Sequence, residues 1–295
     1  MRPSVPRPVR LVIVLAAIAS LLSLPSVAAA APKGTGVVLE IVRLTPAVSP
    51  TMDAAFDVYI KNGGKATLNH AILTVTVTGA TVESVPAACD ASTVVCDLGT
   101  FDAGAERTLR FVAGAAAAAG SIDIVAQLLV DAGGGNPSLD AFTRRGAIAV
   151  DASSTFFGAW HRAGNALSGG IDNGHQSASV NVPPVGFDYP AALSEDTGRV
   201  CGQRGIGTAL DLTFANGDPV SPYLTVTVTY DAEARGTRTP GNVGFVHEND
   251  AGECTTLVKG CATAGCFDAF WEGSGPNKKL VVVALLGSNG RGKGF

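Results

Sequence analysis

The chain is poor in the signatures of catalysis. Gly-x-Ser-x-Gly is missing, and Gly273-Ser274-Gly275 has neither that spacing nor the preceding strand that a nucleophile elbow needs. His-Glu-x-x-His, a phosphate loop and an EF-hand run are missing as well. These gaps weigh against an enzyme, although a site can still assemble from distant loops. Charged residues make up only 16 % of the chain, and the net charge is −4. A basic footprint for nucleic acid or anionic lipid is therefore lacking. Beyond Ala31 no run reaches the ~18 consecutive apolar residues of a spanning helix. Helical periodicity is scarce too, which leaves strands as the building element.

What is present begins with a leader. Arg2, Arg7 and Arg10 precede the apolar run Leu11–Leu24, and Ser26-Val27-Ala28-Ala29-Ala30-Ala31 offers small residues for cleavage. That order predicts a signal peptide over residues 1–31, with an apolar core too short for a stable membrane anchor. No cysteine follows the cleavage region and no Arg-Arg pair precedes it, so lipoprotein and twin-arginine readings fail. Losing three of the 21 basic residues against 25 acidic ones takes the net charge to −7. The product is expected to be secreted and extracytoplasmic. Arginines outnumber lysines two to one, which hints at a GC-rich bacterial coding sequence.

From Ala55 to Val130 the apolar period is two. Phe56, Val58 and Ile60 alternate with Asp57, Tyr59 and Lys61; Leu73, Val75 and Val77 alternate with Thr74, Thr76 and Thr78. Leu109 and Phe111, then Ile122 and Ile124, continue the pattern. Such alternation sets one face in a core and the other in water. Turn residues close each run: Asn62-Gly63-Gly64, Thr78-Gly79, Asp102-Ala103-Gly104 and Ala113-Gly114. Short strands at this spacing predict an antiparallel sandwich. Val37–Leu44 adds a first strand that Pro46 and Pro50 break, and Arg144–Val150 a closing one.

On these residues the stretch Val37–Val150 resembles the immunoglobulin-like repeats of unknown function in bacterial secreted and surface proteins. The counterparts are Asn62-Gly63-Gly64, Leu73–Thr78, Cys96-Asp97-Leu98-Gly99, Asp102–Gly104 and Ala113–Gly120. The resemblance implies a fold and is nearly silent on activity.

Residues 152–295 are expected to form a second sandwich, with the boundary near Asp151 and a first domain, 32–151, that folds alone. Its predicted strands are Ala178–Val182, Thr208–Phe214, Leu224–Tyr230, Gly241–His247 and Lys279–Leu286. The last is apolar throughout, as in a strand covered on both faces. The run LSGGIDNGHQ reads as loop. Val180-Asn181-Val182-Pro183, Gly207-Thr208-Ala209-Leu210 and Val226–Ala232 are similar to the sandwich modules of tight-junction scaffolds and netrin receptors. The fold class predicted for the whole is all-β, two consecutive antiparallel immunoglobulin-like β-sandwiches.

Six cysteines in an exported chain favour disulfides. Cys89 and Cys96 bracket a short loop and are expected to pair. Cys201, Cys254, Cys261 and Cys266 allow three connectivities, and the resemblance of the second half favours Cys254 with Cys266, leaving Cys201 for Cys261. A zinc site needs paired Cys-x2-4-Cys knuckles, and only the Cys261–Cys266 gap fits, with His247 to complete the set. Asp131, Asn136 and Asp140 could ligate Ca²⁺ but serve a Gly-rich turn equally well. No cofactor and no metal is expected.

The leading functional expectation is a non-enzymatic structural or adhesive protein of the cell envelope. The second is a ligand- or glycan-binding module with Trp160 and His161, or Trp271 near Phe267 and Phe270, as its platform, Trp160 and His161 otherwise reading as core or rim side chains. The third is a hydrolase using His247 with loop carboxylates, His247-Glu248-Asn249-Asp250 otherwise reading as a solvated loop. Candidate partners are a cell-wall glycan or another envelope protein; nucleic acid is not one.

Overall fold

The computed structural model describes residues 36–131, 140–196, 198, 200–202, 205–214, 223–249, 251–261, 263–287 and 290–294. Residues 1–35, which include the expected leader, and Asn136 of the expected Ca²⁺ set lie outside them. The fold is all-β, with one short helix among the described residues.

The alternating runs become strands where expected. They are β1 (Val37–Arg43), β2 (Ala47–Val48), β3 (Asp53–Asn62), β4 (Leu68–Thr78), β5 (Ala80–Ser84), β6 (Cys89–Asp90), β7 (Val95–Phe101), β8 (Glu106–Ala115), β9 (Ser121–Asp131) and β10 (Asp140–Val150). One sheet has the order β1-β3-β8-β5 and the facing one β2-β10-β9-β4-β7-β6. With β1, β3, β8 and β5 as strands A, B, E and D, and β4, β9 and β10 as C, F and G, this is the immunoglobulin order. Alternate positions of each run meet between the sheets: Phe56, Ile60, Leu73, Phe111, Ile122, Ile124 and Leu128 are fully buried. Phe56 and Phe111 stack there at 5.4 Å. The Asn62-Gly63-Gly64 turn is held from inside, because buried Asn62 donates from Nδ2 to the carbonyls of Ala66 and Phe101 and accepts from Gly64 N–H.

The second half supplies β11 (Phe156–His161), β12 (Leu167–Asp172), β13 (Gln176–Val182), β14 (Tyr189–Asp196), β15 (Ala209–Phe214), β16 (Leu224–Tyr230), helix α1 (Ala232–Arg235), β17 (Phe245–Glu248), β18 (Cys254–Thr256), β19 (Val258–Lys259), β20 (Cys266–Glu272), β21 (Lys279–Leu286) and β22 (Gly290–Gly294). They pair as β11-β14-β15-β22-β17-β18 and β12-β13-β16-β21-β20-β19. Leu224, Val226, Val228 and Tyr230 meet Leu280, Val282, Ala284 and Leu286 in a second core.

Three expectations for this half are corrected. The LSGGIDNGHQ run is not a loop throughout: Leu167–Asp172 is a strand paired with β13. Its glycines are there for packing, since a Cβ on Gly169 would lie 2.0 Å from the Phe157 ring. Strand β21 is not covered on both faces. Val281 is buried, but Val283 and Leu285 stay half-exposed on the outer side. His247 does not sit in a solvated loop but in β17, buried.

Candidate functional site

The three residues expected on a ligand surface, Trp160, His161 and Trp271, occupy two different places. Trp160 and His161 end β11, an edge strand whose last five residues are buried. Trp160 is 4 % exposed and packs on Ala55 and Val112, which point outward from the β3–β8 face of the first sandwich. It is thus a wedge between the two sandwiches and not an open platform. Burying its indole against those apolar side chains is worth a few kcal/mol by area. Around it the halves are bonded directly: Ser49 N–H donates to the Gly158 carbonyl at 2.8 Å, and Gly158 N–H donates to Ser49 Oγ at 3.1 Å. A Cβ on Gly158 would meet the Ala47 carbonyl oxygen at 2.8 Å, so glycine is what lets the two backbones approach. Arg162 pairs with Asp53 at 2.6 Å, and Met52 packs against both cores.

Above the indole lies Arg110, 5.6 Å from the ring centroid and bonded at 3.0 and 3.1 Å to both oxygens of Asp57. Those hydrogen bonds raise the Arg110 pKa further, with smaller coulombic support from Asp57 and Asp188. His161 is 1 % exposed and stacks on Tyr189 at 4.5 Å. Its Nε2 lies 2.7 Å from the Asn165 carbonyl, which can only accept, so Nε2 carries a proton, while Nδ1 is buried without a hydrogen-bond partner. Burial alone pushes the Tyr189 hydroxyl up to about 12.

Trp271 is different. The two-residue period of β20 sends Phe267 into the core and Phe270 to the opposite, outer face, so the expected aromatic group is split. Trp271 is half-buried at the edge of the second core. Lys278 Nζ lies 4.1 Å and Arg235 Cζ 5.0 Å from its ring centroid. Arg235 is delivered by α1, which Asp231 caps by accepting from Glu233 and Ala234 N–H.

The same cap joins a small cleft that sequence reading missed. Asp172, His175, Gln176, Ser177, Thr229, Asp231 and Lys279 line about 50 Å³. His175 Nδ1 lies 2.9 Å from Asp231 Oδ2 and 3.7 Å from Glu233. The Asp231 hydrogen bond, with help from Glu233, raises the His175 pKa, and the backbone N–H groups of the cap lower that of Asp231. The only sequence signals were Asp172-Asn173-Gly174-His175 at one hairpin and Asp231 after a strand, 56 residues apart.

The cysteines correct the expected pairing. Cys89 is bonded to Cys96, but Cys201 is bonded to Cys254 and Cys261 to Cys266. The reason is topological: β18 hydrogen-bonds to β17, which brings Cys254 beside the 200–202 turn, while Cys261 and Cys266 flank one tight connection. Cys201 N–H donates to Glu248 at 2.8 Å, and buried Val200 packs with Ala209 and Val246. Both bridges consume the thiols that a zinc site with His247 would have used.

No family model and no curated protein matches this chain. Among solved structures it is similar to the ASH/PapD-like domain 7 of human CEP192, at 12 % identity and a TM-score of 0.27, over 42 % of this chain and 91 % of that one. It is also similar to Spo0M, a sporulation control protein from Bacillus subtilis, at 14 % identity and a TM-score of 0.24, over 75 % of this chain and 89 % of that one. Likenesses this slight assign neither a family nor an activity.

Proposed function

We propose that the protein is exported by a cleaved leader and acts as a non-catalytic structural or adhesive pair of β-sandwiches in a bacterial envelope or its surroundings. The observation that carries this reading is the junction. Trp160, the Ser49–Gly158 hydrogen bonds and the Asp53–Arg162 pair fix one sandwich against the other, which a spacer or adhesin requires. Three disulfides suit an oxidising compartment. The His175 cleft, at about 50 Å³, is several-fold smaller than ordinary small-molecule sites. No helix among the described residues is long and apolar enough to cross a membrane. In this reading residues 32–151 form one domain, related to the bacterial surface repeats, and 152–295 the other.

Expression of the full chain in a bacterial host tests it. The mature protein is expected outside the cytoplasm, beginning within Val27 to Pro32, without free thiols, and bound to cell-wall or envelope fractions. A cytoplasmic product that begins at Met1, or turnover in an esterase and glycosidase panel, would overturn it. A second reading, a glycan-binding module, draws on Trp271, which keeps part of its ring in solvent beside two cations.

A further inference from the structure

We infer that Arg235, Trp271 and Lys278 form a binding site for one anionic group, a carboxylate or a phosphate, carried on a glycan. The inference rests on the glycan-binding reading above and gives it a ligand class. Two side chains from different elements, the last turn of α1 and the β20–β21 connection, bring positive charge to a single indole. Neither has a carboxylate within 4.0 Å among the described residues, whereas acids outnumber bases in the chain as a whole. Arg235 is fixed as well as charged: Nη1 donates to the Gly236 carbonyl at 3.1 Å, and Nε is buried beside the ring without a hydrogen-bond partner.

The indole attracts each cation through its quadrupole but does nothing for the repulsion between them. An arriving anion relieves that repulsion and gains charge-assisted hydrogen bonds from both groups. Two cations are too few for a nucleic acid or a membrane surface, where affinity grows with each neutralised phosphate or lipid charge. Glu233 and Glu272, both exposed and close in sequence to the cluster, would repel an extended polyanion. A neutral sugar gains less, because the ring already carries two cations.

The test is titration of the full oxidised protein with a trisaccharide carrying one galacturonate, its methyl ester and the same trisaccharide carrying one phosphate instead, followed by tryptophan fluorescence and equilibrium dialysis at low and high salt. The galacturonate or the phosphate trisaccharide is expected to bind at least about tenfold more tightly than the ester, with affinity falling as salt rises. Which of the two binds better tells whether carboxylate or phosphate is the natural group. Arg235→Gln with Lys278→Gln should lose that preference about tenfold or more, while Arg235→Lys with Lys278→Arg should retain most of it. Circular dichroism checks that both variants fold. Equal binding of acid and ester, abolished together by Trp271→Ala, would overturn the anion site and leave the glycan reading standing. Failure of all three probes would overturn both.

Discussion

The two tryptophans of this protein each sit under an arginine, and they do opposite things. At the junction Trp160 is buried and Arg110, side chain half-exposed, is answered by both oxygens of Asp57. At the edge of the second sandwich Trp271 is half-exposed, and neither Arg235 nor Lys278 is answered by an acid among the described residues. A neutralised cation over a buried ring closes an interface, because the charge is paired and the indole beneath it is out of water. A pair of cations over a half-open ring, with no acid bonded to either among the described residues, leaves an electrostatic demand that an external anion can meet. The same residue types thus read as glue in one place and as a receptor in the other, and the neighbouring carboxylate decides which.

The sharpest way to break that comparison is Trp160→Ala. Removing the wedge leaves Ala55 and Val112 facing a cavity and should cost about 3–5 kcal/mol. It should also split one thermal transition into two, as the sandwiches lose their coupling. Scanning calorimetry on the full chain reads both effects, and a single transition at the wild-type temperature would mean that Trp160 is not what joins the halves.

Next in size is the acid that separates the two sites. Asp57→Asn weakens a bidentate ion pair whose arginine is half-exposed, and a loss of about 1–2 kcal/mol is expected. Arg235→Gln with Lys278→Gln, which breaks no ion pair among the described residues, should change stability by under about 1 kcal/mol. Denaturant unfolding of both variants measures the contrast. Equal losses would erase the distinction between a paired and an unpaired cation.

The smallest effect concerns the anchoring of α1, and through it Arg235. The folded state raises the His175 pKa, so its contribution is fully present below the unfolded value near 6.5 and is lost as pH rises through the raised folded one. Asp231 is lowered, so its contribution is present above the unfolded value near 3.9 and is lost as pH falls through the folded one. The two overlap between roughly pH 4 and 6.5. Proton NMR should find the His175 pKa above 6.5 and returning toward it in Asp231→Asn. A histidine that titrates identically in both proteins would detach the cleft from the cap.

Much of the first sandwich was legible because its signal is local. Leu73–Thr78 or Phe56–Ile60 carries its own two-residue period, and a turn such as Asn62-Gly63-Gly64 carries its own chemistry. The second half was less legible where one residue's conformation depends on a distant one. The glycines of Leu167–Asp172 look like loop until the Phe157 ring is seen above them. Cys201 and Cys254 are 53 residues apart, and only the β17–β18 pairing makes them neighbours.

What the sequence determined by itself is therefore the all-β class, the alternating faces and the cysteine supply. Each is a property of a short run, fixed by side-chain period, turn preference or composition. What only the tertiary structure decided is which aromatic is covered and which cation is paired. Trp160 and Trp271 are chemically the same side chain, and nothing within a few residues of either says that Ala55, Val112 and Asp57 will close over one of them. Burial and charge compensation are sums over neighbours brought together by folding, and the chain order carries no record of those sums.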